Sequence, residues 1–166
     1  VAVLRNKSVK PGTLLLEAWY QVTTQAPAGL ALDRVLPAEP LRLLIDNKGR
    51  NLAPQVAAAS LAKQLDVPEN KLARTVIKAH RDDAEGLLNG AEKEAKLQGA
   101  QWLVTAREAW QQLEGSELQR LLALQAVNPS VRASEVEAQR QRVADGLAAL
   151  DRLQMSLYAV RLIIAA

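Results

Sequence analysis

TLLLEAWYQV, residues 13–22, decides how the chain is read. Its side chains alternate, with Leu14, Leu16, Ala18, Tyr20 and Val22 on one face and Leu15, Glu17, Trp19 and Gln21 on the other. Successive side chains of a strand point to opposite faces, so a period of two with β-branched and aromatic members predicts a long strand. Upstream, Lys10-Pro11-Gly12 is a turn signal, and residues 2–8 are expected to be the partner strand of a hairpin. Downstream, Ala26-Pro27-Ala28-Gly29 punctuates the chain and Leu30 to Leu36 resumes an extended pattern. Pro37 and Pro40 close that run, and Leu41 to Ile45 is a fourth short strand. Asp46-Asn47-Lys48-Gly49 follows as a turn of residues that tolerate positive φ.

After Asn51 the period becomes helical. Asn51 is the expected N-cap of a helix with Pro54 in its first turn, running to about Leu65. Asp66-Val67-Pro68-Glu69 breaks it and starts a helix-rich region reaching Val127, with Asp66 or Val67 near the cap. Breaks are expected near Asn89-Gly90 or at Gly115-Ser116, with Ser116 capping a new helix. Asn128-Pro129 ends this region. Ser134 with Glu137 reads as a capping box, opening a helix to about Leu153 with Val136, Val143, Leu147 and Leu150 as its apolar stripe. The closing run Leu157 to Ile164 is compact, rich in β-formers and apolar on both faces, which predicts a strand returning to the sheet. The expected fold is α+β, an antiparallel sheet of four N-terminal strands joined by a C-terminal strand, with three to four helices packed against it. Residues 1–166 are expected to be one domain: 1–52 mainly strands, 53–155 mainly helices, 156–165 the final strand.

Composition removes much of the catalytic toolkit. The 166 residues include no Cys and one His, which excludes disulfides, thiolate zinc sites, cysteine nucleophiles and histidine pairs. There is no Phe, so the core is expected to be built from Leu, Ala, Val and Ile. The formal net charge is +3, and basic and acidic residues are mixed along the chain, unlike the clustered cations of a dedicated nucleic-acid face. No Gly-Lys dipeptide occurs, so a phosphate-binding loop is absent and the chain is not expected to hydrolyse nucleotide. No apolar run approaches the ~18 residues of a membrane span, and Val1-Ala2-Val3-Leu4 does not read as a signal peptide. With Val1 first and Met155 as the one methionine, the expectation is a piece of a longer cytosolic protein.

Four groups of residues merit weighing. His80, Asp82, Asp83 and Glu85 carry metal-ligand chemistry, and His80 and Asp83 share a helix face, but two ligands do not complete a site. A solvated helix face is the expected reading. Trp102 and Trp110 could stack on a base or partner, but are expected to fill the space between helices. Arg132, Arg140, Arg142 and Arg152, interleaved with Gln139 and Gln141, are expected to be a solvated polar face. Asn6-Lys7-Ser8 fits a glycosylation triplet that has no meaning without a secretory signal. No catalytic, cofactor-binding or metal-ligating residue is assigned.

Several segments resemble the C-terminal region of the RapA family, bacterial RNA polymerase-associated ATPases of SWI/SNF type. They are Leu14–Val22 (LLLEAWYQV), Ala26-Pro27, Arg34-Val35-Leu36-Pro37, Leu41–Ala53 (LRLLIDNKGRNLA), Leu121–Val131 (LLALQAVNPSV) and Leu157–Ile164 (LYAVRLII). The resemblance implies an accessory domain of a cytoplasmic, nucleoid-associated motor that binds core RNA polymerase and promotes its recycling during transcription. ATP and magnesium would be held by motor domains upstream of this chain, and no catalytic residue of the family maps onto it. Implied partners are core RNA polymerase and other domains of the same polypeptide, with DNA possible and no membrane. Two alternatives stand beside it. One is a nucleic-acid module gathering Lys7, Lys10, Arg34, Arg42, Lys48 and Arg50 on one sheet face. The other is a self-associating module using Trp102–Trp110 and Leu118–Leu124.

Overall fold

The computed structural model describes residues 1–6 and 9–166, with Ala28 described by its backbone alone. Among the described residues the order is β1 (Ala2–Leu4), β2 (Leu14–Thr23), β3 (Leu41–Asp46), α1 (Ala58–Ala62), β4 (Leu65–Asp66), α2 (Asn70–Ala79), α3 (Arg81–Trp110), α4 (Ser116–Val127), α5 (Ala133–Leu150) and β5 (Gln154–Ala165). The five strands form one sheet in the order β3-β2-β5-β1-β4. β2–β3 and β1–β4 are antiparallel and β1–β5 is parallel, so the α+β sheet is mixed rather than wholly antiparallel.

The residues group into two compact units, the first Val1–Gln21, Pro40–Leu97 and Ser156–Ala166, the second Val22–Glu39 and Gln98–Met155. In the first unit the alternation of β2 does what its pattern predicts. Leu16 pairs with Ile45 and Ala18 with Leu43 on one sheet face, while Leu15, Glu17 and Trp19 oppose Asp46, Leu44 and Arg42 on the other. Leu15 and Leu44 join Ala2, Leu4, Leu61 and Ile163 in a buried cluster, with Leu52, Val56 and Leu65 packed against it. Leu87, Ala91 and Ala95 of α3 are also buried. The turn after β3 forms as read: Gly49 adopts φ 74°, and Asp46 Oδ1 accepts from the backbone N–H of Lys48 and Arg50, each at 2.9 Å.

In the second unit, α5 contributes Ala149 and Leu150 to a cluster with Leu30, Leu32, Ala106 and Trp110. Trp110 is completely buried, and its Nε1–H donates to Val143 O at 3.2 Å. This position requires a glycine opposite: a Cβ on Gly146 would lie 2.1 Å from the indole ring.

Several local expectations are corrected. Residues 2–8 are not the hairpin partner of β2, because β5 lies between β1 and β2; Lys7 and Ser8 of that span fall outside the described residues. The turn itself exists, with Gly12 at φ 82° and its N–H donating to Ala165 O at 2.8 Å. The run from Leu30 to Leu36 is not a strand but includes the second of two 3₁₀ turns, Ala28–Leu30 and Leu32–Arg34, with Ala31 left-handed at φ 52° between them. That kink buries both Leu30 and Leu32, which reproduces a period of two without a strand. The fourth N-terminal strand is instead Leu65–Asp66, read from sequence as a helix end.

The Asn51 side chain does not cap a long helix. Its Oδ1 accepts from Leu44 N at 3.1 Å and Ala53 N at 3.0 Å, tying the chain to β3, and the helix that follows is only Ala58–Ala62. α2 starts after Glu69, not at Asp66 or Val67. α3 runs unbroken through Asn89-Gly90, and the interruption before it falls at His80 instead. Gln111–Gly115 is a π-helical turn that carries the helix on to Val127, with Gly115 and Ser116 both in the helical region, so Ser116 caps nothing. Ser134 likewise makes no capping bond, since α5 already starts at Ala133 and Glu137 turns to Arg140 at 2.9 Å.

Candidate interaction surface

Three places in the first unit and one network in the second are the candidates. The first is a recess of about 450 Å³ where α3 begins, lined by His80, Asp82 and Asp83 together with Asp46 and Asn47. His80 Nδ1 lies 3.5 Å from Asp83 Oδ2, and the Asp83 carboxylate is exposed. Asp46 is fully engaged by its own turn. Burial would raise its carboxyl, but hydrogen bonds from Arg50 and Lys48 and the Arg50 charge hold it below the ordinary 3.8. Glu85, grouped with these residues on sequence, turns away to pair with Arg81 at 3.0 Å. Among the described residues no three His, Asp or Glu side chains converge in a way that could hold a metal.

The second place lies on the β2 face that carries Glu17. This carboxylate is almost wholly buried and is held by two guanidinium groups: Arg42 Nε donates to Oε1 at 2.7 Å, and Arg161 Nη2 contacts Oε2 at 2.7 Å as an ion pair without hydrogen-bond alignment. Arg42 also donates to Val56 O and stacks over Trp19 at 5.9 Å. A buried charge is tolerated only when paired, so the cluster reads as a structural clasp of β2, β3 and β5. It also removes Arg42 from the cations proposed for a nucleic-acid face. Arg50 is spent on Asp46, Arg34 belongs to the second unit beside Glu114, and Lys7 lies outside the described residues. Among the described members, Arg34 sits on a 3₁₀ turn rather than on a strand, and Arg42 and Arg50 are held by carboxylates.

The third place is an open apolar groove of about 560 Å³. Leu16, Val160 and Leu162 supply its sheet side, Ala84 and Leu88 its α3 side, and Ile77 and Lys78 its α2 side. Ile77 and Val160 are 48% and 50% exposed. α2 separates Leu72, Ala73, Val76 and Ile77 from Lys71, Arg74 and Lys78, as an amphipathic helix does, yet it buries none of its residues fully. Lys78 lines both the groove and the adjoining recess of Asn70, Lys71, Arg74 and Thr75. Sequence reading missed this groove, because its walls come from residues near 1, 16, 77–88 and 160 that no local pattern joins.

In the second unit the basic run of α5 is not uniformly solvated. Arg142 donates to Glu114 Oε2 at 2.9 Å and to the carbonyls of Gly29 and Leu30, and its guanidinium lies 5.5 Å from the Trp110 ring centre. Gln139 donates to both the carboxylate and the backbone oxygen of Glu114 at 2.9 Å. Burial would raise the Glu114 carboxyl, but these bonds and the charges of Arg142 and Arg34 hold it below its ordinary 4.5. The π-helical turn thus presents Glu114 inward, and two α5 side chains answer it. Arg152 donates to Gln25 O at 3.2 Å, Arg140 pairs with Glu137, and Arg132 is exposed. Trp110 is core and Trp102 half-buried, so neither offers an open stacking platform.

Against known proteins, the family described as "RNA polymerase recycling family C-terminal" matches residues 1–165. Proteins named RNA polymerase-associated protein RapA are similar throughout. Identity is 41% over 165 residues in Stutzerimonas stutzeri, 42% over 164 in Pasteurella multocida and 40% over 164 in Sodalis glossinidius. Each match covers 99% of this chain and 17% of the relative, so the chain spans about a sixth of the length of these relatives.

Proposed function

The chain belongs to the RNA polymerase recycling family, as its C-terminal region, and from that premise we propose that it is a non-catalytic docking module of a RapA-like ATPase. The observation that carries this reading is the groove beside α2, an apolar surface left open on a chain whose family is named for its action on RNA polymerase. Exposed contiguous apolar surface on a folded domain marks interaction sites. The buried carboxylates are engaged in structural pairs: Glu17 with Arg42 and Arg161, Glu114 with Arg142, Asp46 with Arg50. On this reading residues 1–166 act as one accessory module. The ATPase, with its ATP and magnesium, resides in other parts of a longer polypeptide working in the bacterial cytoplasm, and this module supplies a contact to core RNA polymerase.

The test is co-sedimentation of the fluorescently labelled chain with purified core RNA polymerase. The reading expects a labelled boundary moving with the polymerase and no ATP hydrolysis by the chain alone. A label that stays at the rate of the free chain at micromolar polymerase refutes it.

A further inference from the structure

The groove and α2 together specify the chemistry of what docks there. Ile77 and Val160 open from the groove to solvent, and Leu72, five residues back on α2, is 52% exposed. The Arg81–Glu85 pair makes the α3 wall electrically neutral. The α2 side is different. Between Asn70 and Ala79 there are three cations, Lys71, Arg74 and Lys78, and no acidic residue, and none of the three has an ion-pair partner among the described residues. Lys78 is where the apolar groove and the basic face meet. A ligand that satisfies both must bring apolar side chains to the floor and carboxylates to the rim. A phosphate backbone answers the cations and leaves the floor empty. A bilayer is planar and meets a recess walled by β5 and α3 poorly.

We infer that this groove docks an acidic segment of RNA polymerase, its apolar side chains seated against Leu16, Ile77, Leu88 and Leu162 and its carboxylates facing Lys78, Arg74 and Lys71. The inference rests on the docking reading above and adds the surface and the partner's chemistry to it.

The experiment measures the affinity of the full chain for purified core RNA polymerase, comparing wild type with Ile77→Ser, with the triple reversal Lys71→Glu/Arg74→Glu/Lys78→Glu, and with Arg140→Glu on α5 as control. All five positions are solvent-exposed, and circular dichroism verifies the fold of each variant. The inference expects about tenfold weaker binding for the triple reversal and about fivefold for Ile77→Ser, with less than about twofold change for the control. Raising salt should weaken wild type and leave the reversal nearly unaffected. Equal binding by all variants overturns the groove assignment while the docking reading stands. No binding by wild type overturns both. A parallel titration with vesicles of anionic phospholipid, and another with duplex DNA, completes the test. If wild type ignores polymerase but binds either one, and the triple reversal abolishes that binding, the face belongs to lipid or nucleic acid and the inference fails.

Discussion

Replacing Gly146 with alanine tests the packing of the second unit through one added carbon. A Cβ at this position would lie 2.1 Å from Trp110 Cε2 and 2.3 Å from Cζ2 and Nε1. Carbon atoms in contact ordinarily stay about 3.5 Å apart, so the ring or α5 must retreat by more than an ångström. The ring has little room to move: it is fully buried, it donates to Val143 O, and Arg142 lies over its face. Overpacking of this kind costs about 1–3 kcal/mol, and here the upper end applies. Losing the indole hydrogen bond adds about 1 kcal/mol, while the better helix propensity of alanine returns about 1 kcal/mol. The net is a destabilisation of about 3 kcal/mol, which for a chain of this length lowers Tm by about 6–12 °C. Thermal melts followed by circular dichroism measure it. The same substitution at Gly86, where a Cβ meets nothing within 4 Å, should leave Tm unchanged or raise it slightly. The double variant Gly146→Ala/Trp110→Leu should cost less than the sum of its parts, because the smaller side chain removes the collision. A Gly146→Ala protein as stable as wild type would refute the placement of Trp110 against α5.

Three further outcomes are expected. Arg42→Met leaves the buried Glu17 carboxylate with Arg161 alone and should cost about 3 kcal/mol in urea denaturation, whereas the pair Glu17→Leu/Arg42→Met should recover much of it, since a buried pair is worth little over apolar residues of similar size. Glu114 and Asp46 both have carboxyl groups held below their ordinary 4.5 and 3.8, so they contribute stability that is complete above those values and is lost as pH falls through the lowered folded-state values. Urea midpoints measured from pH 6 down to pH 2 should therefore fall below about pH 4.5, and Glu114→Gln should flatten part of that decline while lowering the midpoint at pH 6. Ala31→Gly should raise Tm modestly, because a left-handed L-residue costs about 1–2 kcal/mol and only part of that is offset by the greater freedom of glycine in the unfolded chain.

The parts of this fold legible in sequence are those in which local pattern and local geometry share one cause. β2 carries apolar residues at both parities because its first half is buried on both sheet faces, and the turns at Gly12 and Gly49 are written in residues that accept positive φ. The run from Leu30 to Leu36 misled because a kink at Ala31 turns Leu30 and Leu32 to the same core, which counts as a period of two. β4 is two residues long and carries no period at all. The position of β5 between β1 and β2 is a non-local fact that no turn signal encodes. Arg142 and Gln139 sit in a run that looks uniformly solvated, and only the π-helical turn that carries Glu114 inward on another helix shows why two of its members are structural. The candidate surface was not read from sequence, where residues 70–79 counted only as part of a helix-rich region. That the apolar side of α2 stays open beside β5 depends on residues about 80 positions away.

Hydrogen exchange of the chain with and without purified core RNA polymerase tests the docking account most directly, because it reports which backbone segments a partner covers. The account predicts slowed exchange in residues 70–88 and 157–162, with α4 and α5 unchanged at saturating polymerase. Unchanged exchange throughout the chain, or protection confined to α4 and α5, would contradict it.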